Sequence, residues 1–267
     1  MENFFSSQTT GREALSWQIH VDAPVAQHYV ACDTQLDGIY AKAKAQQWDI
    51  EDYDWSFELA PDNPLQLPDA TLLVYGTPVW EDLDSTGRSE LRRHFQAWTL
   101  SQVLHGEQGA LLCAAKLAQG EPSLSGRLCM VAQCYDEARH VEVYARLVND
   151  KIGIRYGMSS SLENLLRQTV SASELDMTNL GMQVLVEGIA LSIFQNIVAY
   201  SADPTIKQMI SQVQRDEARH FAAGRITLAR IYRGELTSAE MAIREEFVCE
   251  SMTTMYEHLC ADDIWAP

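Results

Sequence analysis

The sequence predicts an all-α protein built on a four-helix bundle, with additional helices and an irregular N-terminal lead segment. From residue 84 onward, apolar residues recur at helical spacing, and capping and breaking residues divide the chain into long segments. Five of the eight prolines precede residue 84, which leaves little room for long elements there. The length of 267 residues suits one domain. We divide it into a lead segment (1–84), a bundle (85–235) and a C-terminal helix (236–267).

The individual elements follow from caps and breaks along the chain. Asp84 and Thr237 or Ser238 are expected helix caps, and the stretch from Gly120 to Gly126 is an expected break. Short loops between long helices predict antiparallel neighbours. In chain order we expect a helix over residues 33–47, an extended arm over 62–78, long helices over 84–117 and 128–148, a short helix ending at 169, and long helices over 174–200, 204–233 and 238–259.

Charge and composition exclude several classes of function. The formal net charge of −17 argues against a nucleic-acid partner and disfavours binding to anionic membranes. The six cysteines are scattered, which predicts reduced, mostly buried thiols rather than disulfides or a zinc site. We find no secretory signal pattern and no apolar run of the roughly 18 residues that a membrane helix needs. We therefore expect a cytoplasmic protein without a membrane partner.

One five-residue motif occurs twice. Asp136 to His140 reads Asp-Glu-Ala-Arg-His, and Asp216 to His220 repeats it letter for letter, 80 residues later. A further glutamate next to a glycine, Glu107 or Glu187, lies 30 residues before the glutamate of each motif. The two halves therefore share one internal spacing, which indicates an internal duplication.

Helical geometry brings these residues to one level of the bundle. Residues i and i+3 share a helix face, so the glutamate and histidine of each motif point the same way. A glutamate within an apolar helix, such as Glu187, costs several kcal/mol unless it is paired or metal-bound. Four carboxylates and two imidazoles suit iron or manganese better than structural zinc. The predicted metal ligands are Glu107, Glu137, His140, Glu187, Glu217 and His220.

The other charged residues of each motif have an expected task beside the metal ligands. Asp136 and Asp216 are expected to accept the distal N–H of a ligating histidine, with Arg139 and Arg219 balancing their charge. The alternative is ordinary surface ion pairing of these four residues.

The spacing of the two motifs, over roughly residues 85–235, resembles the ferritin-like carboxylate-bridged di-iron oxidase and monooxygenase superfamily. It looks closest to the branch of bacterial multicomponent monooxygenases, acyl-carrier desaturases and the small subunit of class I ribonucleotide reductase. The resemblance implies a ferritin-like bundle that holds two iron ions, activates dioxygen as co-substrate and oxidises a small organic substrate. It also implies an electron donor or reductase and a homodimer. An iron–manganese pair stays open because the ligand sets overlap.

Three positions depart from patterns within that superfamily. Tyr144 stands four residues after His140, where the ribonucleotide reductase subunit carries its radical tyrosine, so a catalytic redox role for Tyr144 is expected beside plain core packing. Leu191 replaces the proton-relay threonine of the multicomponent monooxygenases. Val213 stands where arylamine N-oxygenases of the superfamily carry an extra histidine, so no seventh ligand of that kind is expected.

Two other functions stay open from the sequence. A radical-generating subunit would use Tyr144 on a partner protein, and an iron storage or detoxification protein would have no organic substrate. For an oxidase or monooxygenase, substrate space is expected beside Glu107 and Glu187. Its expected lining is Val103, Leu111, Gln183, Leu191, Phe194 and Phe221.

Overall fold

The computed structural model describes residues 15–25, 27, 33–234, 236–261 and 264, and this part of the chain is predominantly helical. The α-helices are α1 (Thr34–Ala45), α2 (Pro78–Glu81), α3 (Ser85–Gly120), α4 (Leu124–Arg146), α5 (Ser160–Ser171), α6 (Leu175–Asn179), α7 (Glu187–Tyr200), α8 (Pro204–Ile231) and α9 (Ser238–Cys260). Helices α4 and α6 each continue into a π-helical segment, Leu147–Ile152 and Leu180–Val186, and the second of these leads directly into α7.

The long helices begin where the sequence places polar caps. The Asp84 side chain accepts a hydrogen bond from the Gly87 amide at the start of α3, and Asp203 accepts one from the Ile206 amide at the start of α8. Thr237 forms a capping box with Glu240 at the start of α9. These contacts satisfy amides that have no partner inside the helix, which explains why caps predict the helix starts well.

The core of the molecule is a bundle of four long helical stretches. The most extensive packing joins α3 to α4 and α7 to α8, and α1 lies across α4 and α8. Helices α5 and α9 pack on each other, with α5 also against α3. The four predicted bundle helices are therefore α3, α4, the stretch from α6 through α7, and α8, and their faces meet at the site described below.

The π-helical segment Leu180–Val186 is the main departure from the expected regular helix over 174–200. It ends immediately before Glu187, and it carries the fully buried Gln183. A π segment widens the helix and shifts the side chains that follow it around the axis, and such segments occur frequently at functional sites. Periodicity in the sequence does not reveal it, because an apolar stretch fits either register.

The stretch expected as an extended arm, residues 62–78, is instead a series of turns. Thr71 and Thr77 donate their hydroxyl hydrogens to the carbonyls of Pro68 and Val74, three residues back. Such local side-chain bonds compete with extended backbone, which explains the difference. Gln96 of α3 holds the segment on the bundle by accepting the Leu65 amide at 2.7 Å.

The stretch Leu175–Tyr200 is the one described helix that is long and apolar enough, by length and composition alone, to cross a membrane. This stretch differs from the expectation that no apolar run is long enough for a membrane helix. In the structure it packs against α8 and carries Glu187 into the interior of the bundle. Its composition is thus also that of a bundle's core helix.

The five described cysteines are free thiols, as expected, and Cys32 lies outside the described residues. Cys113 and Cys129 are buried, whereas Cys134 and Cys260 are half-buried and Cys249 is exposed. The expectation of mostly buried thiols therefore holds for two of the five.

The close approach of α8 to the π segment depends on Gly224. A Cβ atom at this position would lie 2.8 Å from the Cβ of Gln183 and 2.9 Å from Oδ1 of Asn179. The Gln183 Cβ is fixed by its own backbone, so Gly224→Ala is expected to destabilise the metal-free protein by about 1–3 kcal/mol in urea unfolding. Gly38→Ala in α1, where no atom lies within 4 Å of the new Cβ, is the control and should stabilise by about 0.5–1 kcal/mol. Equal effects of both changes would contradict the tight packing.

Candidate metal centre

The structure brings the six predicted metal ligands together inside the bundle. Each of the four bundle stretches contributes at least one of them, and all are at most 6% exposed. We call this group the carboxylate–histidine cluster; it consists of Glu107 from α3, Glu137 and His140 from α4, Glu187 at the start of α7, and Glu217 and His220 from α8.

The ligand atoms of the cluster form two overlapping groups. One contains Glu107, Glu137, His140 and Glu217, and in the other Glu187 and His220 join the same Glu137 and Glu217; within each group the ligand atoms lie within 4.8 Å of one another. Two metal positions side by side, each with its own glutamate and histidine and sharing two carboxylates, would fit this arrangement.

The histidine nitrogens face the shared carboxylates directly. Nδ1 of His140 lies 2.9 Å from Oε1 of Glu217 and 3.3 Å from Oε2 of Glu107. Nδ1 of His220 lies 3.1 Å from Oε1 of Glu137 and 3.4 Å from Oε2 of Glu217. Both histidines therefore present the same ring nitrogen to the interior of the cluster.

Many polar atoms of the cluster form no hydrogen bond of acceptable angle among the described residues, even where a carboxylate oxygen and an imidazole nitrogen lie close together. They are Oε2 of Glu137, Oε2 of Glu187, both carboxylate oxygens of Glu217, and Nδ1 of His140 and His220. Buried polar atoms in proteins are nearly always satisfied, and orphaned ones call for an explanation such as a bound ion. These orphaned atoms are oxygens and imidazole nitrogens, the donors that iron and manganese accept, so the residues fit the predicted cofactor.

The electrostatics of the cluster also favour bound cations. Burial raises the pKa of Glu107 to about 8, and the neighbouring Glu217 adds to the rise. Burial, followed by Glu217, raises the pKa of Glu187 well above its usual value. Burial alone would lower the pKa of His140, but Glu107 and Asp216 raise it. Negative charge is thus concentrated where water cannot screen it, and a divalent cation would relieve this strain.

The aspartates of the two motifs serve the histidines of the opposite motif. Nε2 of His140 lies 3.3 Å from Oδ2 of Asp216, and Nε2 of His220 lies 3.2 Å from Oδ2 of Asp136. The predicted pairing of aspartate with histidine is therefore present, but it runs across the two halves of the repeat. Such a contact holds the imidazole ring in orientation and leaves its other nitrogen facing the cluster.

The two arginines join both aspartates into one buried network. Arg139 donates to Oδ1 of Asp136 at 2.5 Å and to Oδ2 of Asp216 at 3.2 Å. Arg219 mirrors it, donating to Asp216 at 2.5 Å and to Asp136 at 3.1 Å. The aspartates are 1% exposed and the arginines at most 7%. These pairs are therefore internal, and the alternative of surface ion pairing is wrong.

Two residues of the site were not found from the sequence. Trp48 donates its indole N–H to Oδ2 of Asp216 at 2.9 Å, and its ring stacks on His140 with centroids 6.4 Å apart. No local pattern links Trp48, in the irregular lead segment, to a motif 168 residues away. Gln133 donates to Oε1 of Glu137 at 3.1 Å and to Oε1 of Glu187 at 3.0 Å. Its position four residues before Glu137, on the same helix face, was the available signal.

Of the three departing positions, Tyr144 and Val213 lie in the buried core, whereas Leu191 is half-buried on α7. Tyr144 is fully buried, its hydroxyl has no hydrogen-bond partner among the described residues, and its ring stacks on Phe194 at 5.9 Å. Burial, and then Glu107, raises the pKa of Tyr144, so the phenol keeps its proton. Val213 is fully buried in the apolar core, where its side chain offers no ligand atom.

A cavity of about 230 Å³ adjoins the cluster and borders Glu107, Glu187 and Glu217. It lies between α3 and α7 and extends to α5 and α9, with walls that are mostly apolar. Val103 lines it as expected. The other expected lining residues do not border it, because they lie on helix faces turned away from it; they are Leu111, Gln183, Leu191, Phe194 and Phe221.

Replacing a buried carboxylate of the cluster should stabilise the metal-free protein. Glu187 is 2% exposed, accepts one bond from Gln133 and has one unpartnered oxygen. Glu187→Gln removes the charge and is expected to raise the free energy of unfolding by about 1–3 kcal/mol in urea. The exposed Glu142→Gln on α4 is the control and should change it by less than about 0.5 kcal/mol. A loss of stability in Glu187→Gln would show that the carboxylate serves the fold.

Comparisons with solved structures support the fold. An R2-like ligand-binding oxidase with an aerobically reconstituted Mn/Fe cofactor is 17% identical, with a TM-score of 0.56 over 87% of this chain and 80% of that one. A tyrosine-to-phenylalanine mutant of an R2-like ligand-binding oxidase is 18% identical, with a TM-score of 0.59 over 87% and 84%. At this identity the likeness concerns the fold, and it confirms the predicted all-α, ferritin-like class.

A comparison with family models identifies the family. A search of curated proteins gives no match. The model of the p-aminobenzoate N-oxygenase AurF matches residues 33–262, which is most of the chain and includes every residue of the cluster. This match confirms the predicted superfamily and the predicted class of enzyme, a di-metal oxidase or oxygenase that activates dioxygen. The chain belongs to the p-aminobenzoate N-oxygenase AurF family.

Proposed function

We propose that the chain is a monooxygenase that oxidises a small organic molecule at two metal ions held by the carboxylate–histidine cluster. The single observation that carries the proposal is the arrangement of two ligand groups that share Glu137 and Glu217 beside an apolar cavity. The proposed ligands are the six predicted ones: Glu107, Glu137, His140, Glu187, Glu217 and His220.

The bound metals would be two iron ions or one iron and one manganese ion. When bound, they would supply the electrons and the open coordination positions that dioxygen activation needs. The R2-like ligand-binding oxidases described above carry Mn/Fe cofactors, which supports keeping both compositions in the proposal.

The protein residues have separate tasks in this proposal. Glu137 and Glu217 would hold the two ions together, since both belong to each ligand group. Asp216 and Asp136 keep the imidazoles of His140 and His220 turned towards the cluster. The mostly apolar walls of the cavity exclude bulk water from the reacting atoms.

The name of the family supports nitrogen oxygenation as the proposed reaction class. Oxygenation of a nitrogen would convert an amine R–NH₂ and O₂, with two electrons and two protons, into R–NHOH and water. One oxygen atom enters the substrate and the other leaves as water, so an external electron donor or reductase is part of the proposal. A homodimer and a cytoplasmic location remain predictions.

Metal loading and oxygen consumption test the proposed function. The full chain, loaded anaerobically with ferrous iron or with iron and manganese, is expected to hold two ions per chain by elemental analysis. On exposure to air it should consume dioxygen, because reduced ions at adjacent positions can pass electrons to it. Glu217→Ala removes a shared ligand and should lower both readouts, whereas the exposed Glu142→Gln should lower neither. A chain that binds no metal, or binds two ions yet consumes no dioxygen, would contradict the proposal.

The crossed aspartate–histidine pairs give a second prediction. Asp136→Asn and Asp216→Asn should each lower metal affinity by about 10- to 100-fold, because the imidazole they orient becomes a poorer ligand. The two effects should be similar, since each aspartate serves the opposite half. Competition with a chelator measures the affinity, and the exposed Asp62→Asn is the control. An effect of only one aspartate would show that the two halves are not equivalent.

A second candidate function is a redox role for Tyr144. Its buried hydroxyl has no hydrogen-bond partner among the described residues, and burial followed by Glu107 raises its pKa. If Tyr144 donates an electron after oxygenation, the wild-type chain should give a tyrosyl signal in electron paramagnetic resonance. Tyr144→Phe should abolish that signal while both metal ions remain bound. Unchanged oxygenation spectra in Tyr144→Phe would assign the residue to packing alone.

A further inference from the structure

Gln133 holds two carboxylates of the cluster with one amide group. It lies on α4 and is 2% exposed. Its amide nitrogen donates to Oε1 of Glu137 at 3.1 Å and to Oε1 of Glu187 at 3.0 Å, so both of its hydrogens are used. Its oxygen accepts the side-chain amide of Gln183. Ionised carboxylates only accept, and Gln183 donates from the other side, so these neighbours fix which way the Gln133 amide faces.

Both acceptors of Gln133 lie at the same metal position. Glu187 and His220 belong to one ligand group. Oε1 of Glu137 lies 3.1 Å from Nδ1 of His220, whereas Oε2 of Glu137 lies 3.4 Å from Nδ1 of His140. Gln133 therefore acts on the position beside Glu187 and His220, and not on the position beside His140.

The bond from Gln133 occupies one oxygen of Glu187 and leaves the other for a metal ion. Oε2 of Glu187 is buried and has no hydrogen-bond partner among the described residues. Glu187 borders the cavity, whereas neither Gln133 nor Gln183 lines it. The two glutamines therefore contact Glu187 from outside the cavity.

The repeat supplies this pair of glutamines only once. With the offset of 80 residues that relates the two ligand sets, Gln133 corresponds to Val213. In the same way, Gln183 corresponds to Val103. A valine side chain cannot donate a hydrogen bond. The six ligands are thus duplicated, but a glutamine that holds a glutamate oxygen stands at this place in one half alone, beside Glu187.

A hydrogen bond to a ligating carboxylate influences how it binds an ion. A carboxylate can bind a metal ion through one oxygen or through both, and hydrogen bonds to it fix its orientation. With Oε1 held by Gln133, Glu187 has Oε2 left for the ion. Binding through one oxygen leaves a coordination position on that ion free, and catalytic metal sites keep such a position for the molecule they take up.

We propose that Gln133 is a positioning residue: it restricts Glu187 to binding its ion through Oε2 alone, and so keeps a coordination position on that ion open beside the cavity. This inference rests on the proposed function for the presence of the two ions. It deepens that function by naming which of the two metal positions takes up a small ligand such as dioxygen.

Azide tests the open position, because it binds to ferric iron at a free coordination position and gives a visible absorption band. The full chain is loaded with iron, oxidised in air and titrated with azide. Gln133→Met keeps the approximate volume of the side chain and removes the donor. We expect this variant to retain both irons and to bind azide at least about 10-fold more weakly, because the released Oε1 of Glu187 takes the open position.

Gln96→Met is the matched control for this titration. Gln96 is also 2% exposed, and it bonds the Leu65 amide of the lead segment rather than the cluster. Its substitution should leave the azide affinity unchanged. An azide affinity that is unchanged or higher in Gln133→Met would overturn the proposal, as would the loss of either iron in that variant.

A crystal structure of the iron-loaded wild-type chain tests the same claim without a variant. It should show Glu187 bound through Oε2 to the ion beside His220, with Oε1 still bonded to Gln133. Glu187 bound through both oxygens would overturn the proposal, and this result stands even where Gln133→Met does not fold.

Failure of this inference can be distinguished from failure of the proposed function. A chain that holds two ions and consumes dioxygen, but binds one of them through both oxygens of Glu187, would overturn the role of Gln133 and leave the monooxygenase proposal intact. A wild-type chain that holds no metal would overturn both.

Discussion

The structure depends on one constraint: four carboxylates and two imidazoles are held inside an apolar bundle, away from water. Glu137 and His140 are fully buried, and the other members are at most 6% exposed. Such a concentration of acidic groups is unfavourable by itself, because burial penalises each charge and each charge repels the next. Cations between the carboxylates would turn that repulsion into attraction. The protein therefore holds the four carboxylates and two imidazoles in an arrangement that is unfavourable without metal ions.

A second, balanced charge network supports the first. Asp136, Asp216, Arg139 and Arg219 bring two negative and two positive charges into contact, and this group is neutral as a whole. Each aspartate contacts both arginines and the histidine of the other motif. The two halves of the repeat are therefore joined by direct contacts. The duplication seen in the sequence thus becomes an approximate twofold arrangement in space, and Trp48 joins only one side of it, at Asp216.

Much of the site could be predicted because the spacing of residues along an α-helix fixes which side chains share a face and how far apart they lie. Glu137 and His140 share a face at any point of an α-helix, and the equal upstream distances to Glu107 and Glu187 place all four helices at one level. The cavity lining could not be predicted in the same way. Leu191 and Val103 have similar apolar neighbours in sequence, and the rotation of the helices decides which of them borders the cavity. The π segment before Glu187 alters that rotation.

Contacts between residues that lie far apart in the chain could not be predicted from the sequence either. Trp48 reaches Asp216 from a segment of turns, and this contact becomes visible only when the surrounding groups are placed. Apolar and aromatic residues fit a core or a substrate cavity equally well until packing is known. The motif therefore predicted the six residues that meet in the carboxylate–histidine cluster and the class of chemistry, whereas the position of the cavity beside them is visible only in the structure.

Anomalous diffraction from crystals of the metal-loaded protein tests the central claim most directly, because it locates the ions without reference to activity. The account predicts two peaks about 3.5–4 Å apart, one beside Glu107 and His140, the other beside Glu187 and His220, with Glu137 and Glu217 contacting both. A single peak, or peaks outside the carboxylate–histidine cluster, would contradict it.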